Sequence, residues 1–178
     1  MPVNASSSTY YGTIHVDDGS STIPQTLKMT ITVGLPPDPG AAGNATLAGI
    51  DSYGDGVRDD VQRYIGLTYP QSAKERAALT QAAMAMQDEL TGDSNGPKEV
   101  GDALDCLGAT LMTSGGDVVG GKNTHDAFLS LEAVILNTPD RAKGLAQADS
   151  LSGAVIRFST PYAQKASRCS IDPSLFPN

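Results

Sequence analysis

The stretch GLPPDPGAAGNA, from Gly34 to Ala45, divides the chain into two parts of different character. It holds three prolines and three glycines in twelve residues. Proline lacks the amide donor that helices and central strands need, and glycine has the most backbone freedom to lose. The composition therefore argues against both helix and central strand and reads as a semi-rigid connector, which we take over residues 34–48. The apolar pattern changes period across it. Before it, in QTLKMTITV, Leu27, Met29, Ile31 and Val33 alternate with Thr26, Lys28, Thr30 and Thr32. That is the period of two of a half-buried strand. TYYGTIHV alternates less cleanly, with Tyr10, Ile14 and Val16 on one face and Tyr11, Thr13 and His15 on the other. DDGSSTIP between the two supplies turn chemistry, so residues 1–33 read as an antiparallel β-hairpin.

After the connector the period is helical. Val57, Val61, Tyr64 and Ile65 form a short stripe. Ser72-Ala73-Lys74-Glu75 is a capping box, and Leu79, Ala82, Ala83, Met86 and Leu90 follow at helical spacing. Val100, Ala103, Leu104, Leu107 and Leu111 repeat the pattern, as do Ala127, Phe128, Leu131, Val134 and Ile135 after a cap at Thr124. Thr138-Pro139 reads as an N-cap with proline at the first helical position, opening a last helix through Leu145 towards Val155. The expected class is mainly α: a bundle of four to five helices in residues 49–178, preceded by the hairpin and an acidic loop.

Composition narrows the function. The chain has 178 residues and a formal net charge of −8, with a pI near 4.5. Its basic residues are scattered, so nucleic acid is not an expected partner. No apolar run reaches the ~20 residues of a membrane span, and MPVNASSSTYY lacks the pattern of a signal peptide. Cys106 and Cys169 are the two cysteines. Two buried thiols are one reading; a single disulfide closing a loop of about 60 residues is the better one, and favours an oxidising compartment. The chain is expected to be an exported protein, extracellular, on the cell surface or in a periplasm, whose leader is missing.

The acidic loop GIDSYGDGVRDDVQRYI, Gly49 to Ile65, crowds Asp51, Asp55, Asp59 and Asp60 around two glycines. With Asp51 as position 1, Asp55 is position 5, Gly56 position 6, Val57 position 7 and Asp59 position 9. A calcium loop of EF-hand type takes side-chain oxygens from 1, 3 and 5 and a carbonyl from 7, with glycine at 6 for the sharp turn. Tyr53 stands at position 3, where Asp or Asn is usual, and Gln62 at position 12, where a bidentate glutamate is usual. Both departures lower the expected affinity. The expected ligand set for Ca²⁺ is Asp51, Tyr53, Asp55, Val57, Asp59, Asp60 and Gln62. The plainer alternative is a polar turn leading into a helix, with Asp59 and Asp60 favoured in its first turn by the helix dipole.

DSYGDGVRDD resembles the thrombospondin type 3 and EF-hand-like loops of bacterial exported proteins. GIDSYGDGVRDDVQRYI is similar to a stretch in uncharacterised secreted proteins of Gram-negative bacteria. YYGTIHVDDGSSTIPQTLKMTITV resembles the closing strand pair of bacterial immunoglobulin-like (BACON-type) modules. These resemblances imply calcium-stabilised surface or secreted proteins and no catalytic residues. His15 and His125 read as surface or capping residues, and Glu89, Glu99 and Glu132 as solvated helix faces. SGGDVVGGKN reads as a flexible loop, since it lacks the strand and the G-K-[ST] of a phosphate loop. The expectation is a non-catalytic, calcium-stabilised extracellular module. The alternative is a polymerising subunit whose hairpin completes a neighbour's sheet; a hydrolase of unknown type is the remote third. Either of the first two implies a protein partner or self-association through the hairpin.

Overall fold

A computed structural model describes residues 8–16, 25–92, 96–111, 124–152, 160–170 and 172, with backbone alone for 8–16, 25–33, 151 and 152. The chain forms two units, Met1–Pro36 and Pro37–Asn178. In the first, β1 (Ser8–Val16) pairs antiparallel with β2 (Gln25–Val33) as a two-stranded sheet. The register sets Tyr10 opposite Ile31, Gly12 opposite Met29 and Ile14 opposite Leu27. The connection, residues 17–24, lies outside the described residues, as does the 112–123 segment containing SGGDVVGGKN.

The second unit is mainly helical, and it claims most of the connector. Gly40–Asn44 forms a 3-10 turn where the sequence argued against helix. Local bonds explain it. The Gly40 amide donates to Asp38 Oδ1 (2.9 Å), and the Gly43 amide reaches back to the Pro39 carbonyl (3.3 Å). Proline at the head of a turn and glycine inside it are permissive for this short structure, though not for a long helix.

Four helices build the apolar core, α1 (Asp59–Thr68), α2 (Ala73–Thr91), α3 (Gly96–Leu111) and α4 (Thr124–Ile135), and α5 (Pro139–Ser152) packs Leu145 against it. The Ser72 side chain caps α2 by accepting from the Glu75 amide (3.1 Å). Gly92, in the left-handed region, ends that helix. Thr138 Oγ1 accepts from the Arg141 amide at the start of α5 (3.3 Å). Val57, Val61, Leu79, Ala82, Leu107, Leu111, Leu131 and Ile135 are buried together. Burying such side chains contributes roughly 1.5–3 kcal/mol each and is the main source of cohesion.

Two readings need correction. Leu104, assigned to the apolar stripe of α3, is 36 % exposed; Ala103 and Leu107 carry the buried face and Leu104 falls at its margin. Glu89, assigned to a solvated face, is buried. The start of α3 comes so close that a Cβ on Gly96 would lie 2.5 Å from Glu89 Cα, and a helix N-terminus favours an acid beside it.

Tyr162–Lys165 (α6) and a 3-10 turn, Ala166–Arg168, form a strap near the C-terminus with no buried residue. Cys106 and Cys169 form a disulfide that ties it to α3, with Cα atoms 4.8 Å apart. Polar contacts add to it. Lys165 Nζ donates to Asp105 Oδ1 (2.7 Å), and Gln81 on α2 bonds the Arg168 carbonyl (2.9 Å) and the Ser170 amide (2.8 Å). No helix of the described residues is long and apolar enough to cross a membrane.

Candidate functional site

The acidic loop is ordered by its own carboxylates. Asp51 Oδ1 accepts from the amides of Tyr53 (3.2 Å) and Gly54 (2.7 Å), and its Oδ2 accepts from Gly56 (2.9 Å). One carboxylate thus gathers three amides, which curls the chain around it. The turn needs positive φ at Gly54 (+67°) and Gly56 (+86°), a region L-residues avoid. Asp55 Oδ1 accepts from the Val57 amide (3.1 Å), while its Oδ2 receives the Gln62 side-chain amide from across the loop. Positions 5 and 12 of the motif therefore meet. Gln62 Oε1 and Tyr53 Oη are buried without a hydrogen-bond partner among the described residues.

The other two aspartates are committed elsewhere. Asp59, 1 % exposed, accepts from the Ser52 amide (2.8 Å) on one oxygen and the Ser52 hydroxyl (2.6 Å) on the other. Asp60 accepts a fork from Arg58, Nε and Nη2 each at 2.9 Å, and a bond from Asn137 Nδ2 (3.0 Å). Burial alone would raise the Asp60 pKa; its bonds to Arg58, helped by the charges of Arg58 and Arg141, hold it below the ordinary carboxylate value. Val57 is buried in the core.

Beneath the loop lie two arginines, Arg58 and Arg141, that are no part of the expected ligand set. Arg58 is 1 % and Arg141 0 % exposed. Arg58 donates to the carbonyls of Val134 (3.2 Å) and Ile135 (3.0 Å) at the end of α4, where the helix dipole favours a cation. Arg141 donates to the carbonyls of Gly43, Thr46 (2.9 Å) and Leu47 (3.3 Å), and to Asn44 Oδ1 (3.2 Å) and Asn137 Oδ1 (2.5 Å). These bonds draw residues 43–47 against α5. Gly49 completes the packing: at φ +66°, a Cβ there would lie 2.4 Å from Arg58 Cδ and 2.9 Å from Arg141 Nη2. Arg141 sits in the first turn of its helix, where the dipole disfavours a cation. That mismatch is the one sequence signal that could have flagged it.

As a cation site the loop offers hard oxygen chemistry. Asp51, Asp55 and Gln62 are the expected ligands that could be recruited while Asp59 keeps its bonds to Ser52 and Asp60 its bonds to Arg58. Gln62 turns its amide nitrogen to Asp55, so its oxygen would serve only after that group rotates. Among the described residues, no three acidic, histidine or cysteine side chains gather as a metal cluster on their own, so amide or backbone oxygens would have to complete the shell. Comparison with protein-family models, curated proteins and solved structures finds no match to the chain.

Proposed function

We propose that the chain is a non-catalytic, calcium-stabilised structural or interaction module of an exported protein. The observation that carries the reading is the loop's internal geometry: one carboxylate gathers three amides while Asp55 and Gln62 meet across the turn. A calcium ion would supply positive charge between carboxylates that otherwise repel, and would join the turn to the first helix. Asp51 and Asp55 are the anionic donors, and Gln62 gives an amide oxygen in place of the usual glutamate. Two anionic donors in place of three or four imply modest affinity, in the range of extracellular modules at about 10⁻⁴–10⁻³ M. The disulfide supports an oxidising compartment.

The second reading is a subunit that assembles through β1 and β2. Its support is that the described sheet has two strands only, which leaves each an outer edge suited to a neighbour's strand. The resemblance of this region to the end of an immunoglobulin-like module belongs to the same reading.

Calorimetric titration with calcium chloride separates the ion reading from its alternative. A single saturable site in the wild-type chain, lost in Asp55→Ala, is the expected result. Absence of heat and of any competition with a calcium-sensitive dye at millimolar calcium would leave the loop a self-capped turn.

A further inference from the structure

Two open recesses stand out among the described residues of the helical unit. The one over the Arg141 clamp, bordered by Thr46, Lys143 and Gln147, is lined by mixed polar groups and selects no chemistry. The second is a groove of about 310 Å³ between α2, α3 and the C-terminal strap. Met84 and Ala85 make its apolar floor, and Asp88, Glu99 and Asp102 stand among its lining residues. Met84 is 40 % exposed, one of five exposed large apolar side chains among the described residues. Its Cε also lies 3.6 Å from the position a Cβ would take on Gly56, so the floor abuts the acidic loop.

We infer that this groove docks an arginine side chain of a protein partner. An apolar floor beneath carboxylates suits a long cationic side chain, whose methylene stem lies on the floor while its head stays among the acids. The chain's own Arg168 illustrates the attraction. It lines the same groove, is 46 % exposed, and holds its Nη1 3.7 Å from Asp102 Oδ1, beyond hydrogen-bond distance. Asp102 also meets Lys98 at 2.6 Å, but that lysine is 72 % exposed, and exposed pairs hold weakly. The acidic side is reinforced by the net charge of −8. Arginine is favoured over lysine because its planar, weakly hydrated head lies flat on methionine and forks to carboxylates. The proposal stands whether or not the neighbouring loop binds calcium, since none of the groove's carboxylates is among the ion's donors.

The test is titration of the ¹⁵N-labelled full chain, in millimolar calcium, with the peptide acetyl-Gly-Ala-Arg-Ala-Gly-amide and its citrulline counterpart, which keeps the shape and loses the charge. The expected result is saturable shifts at Ala85, Glu99 and Asp102, with citrulline about tenfold weaker, the scale of a charge-assisted hydrogen bond. Met84→Ser with Glu99→Gln should weaken the arginine peptide by a similar factor. Asp140→Asn with Asp149→Asn, a larger loss of charge on α5, should leave it within about twofold. Equal binding of the two peptides would overturn the proposal by showing that the charge is not read, and equal loss in both double variants would overturn it in favour of diffuse electrostatics. Self-association of the free chain that Glu99→Gln abolishes would also overturn it, by making the occupant a second copy.

Discussion

Arg141, which ties residues 43–47 to α5, makes more side-chain hydrogen bonds than any aspartate of the acidic loop beside it. It is fully buried and satisfies three backbone carbonyls and two side-chain oxygens at once. Arg141→Met keeps the bulk but leaves those acceptors without a donor. It should cost about 3–5 kcal/mol, since several neutral acceptors lose their donor at once and each unsatisfied one costs about 1–3 kcal/mol where it is buried. Arg141→Lys should recover only part, since an ammonium cannot span the fork. An unfolding free energy for Arg141→Met within about 0.5 kcal/mol of wild type would mean that residues 43–47 are held by something else. Asp60 gives a prediction in pH. Its folded pKa lies below the ordinary value because the Arg58 bonds outweigh the raising effect of burial. Its contribution is therefore complete above the unfolded carboxylate pKa of about 3.9 and fades as pH falls through the folded value. Asp60→Asn should flatten the acid limb of the stability profile and lower stability at neutral pH. An unchanged acid limb would assign the acid sensitivity elsewhere, Asp105 being the next group held below its ordinary value, by Lys165 and Thr160 against the effect of its own burial.

The elements were legible where one local rule decided them. Ser72 and Thr138 read as caps, and they accept the amides that caps accept. Val61, Leu79, Leu107 and Leu131 read as core from their spacing, and they are buried. The connector misled because proline and glycine content speaks to long helices and strands, whereas the five-residue turn at Gly40–Asn44 is anchored by an arginine nearly a hundred residues later. Glu89 misled for a related reason: its burial comes from the approach of a second helix, which no single-helix pattern contains. In the acidic loop the motif identified the turn and its glycines. It could not tell that Asp60 would be taken by Arg58, two residues before it. The strap offers a prediction at this scale. With no buried residue of its own, it depends on the disulfide more than on packing. Cys169→Ser should cost up to about 4 kcal/mol for a loop of this length in the chain-entropy model. It should also open a protease-sensitive site within residues 160–170 while α1–α5 keep their helical signal. A strap that stays resistant in that variant would show the polar contacts of Lys165 and Gln81 to be sufficient.

For the whole molecule the question is what the excess of negative charge does. A charge of −8 on 178 residues sets up a field that repels like-charged partners and attracts cations. An ion that binds the folded loop and not the unfolded chain raises stability by mass action, by about 0.4–1.4 kcal/mol when millimolar calcium stands at one- to tenfold the dissociation constant. For a chain of this size that is a shift of roughly 1–5 °C in the thermal midpoint. The most direct test is the thermal midpoint of the intact chain in chelator and across a calcium series, beside Asp55→Ala. The account predicts a midpoint that climbs with calcium in the wild type, falls back in chelator, and moves by less than about a third as much in Asp55→Ala. A wild-type midpoint that stays constant from chelator through millimolar calcium would contradict it.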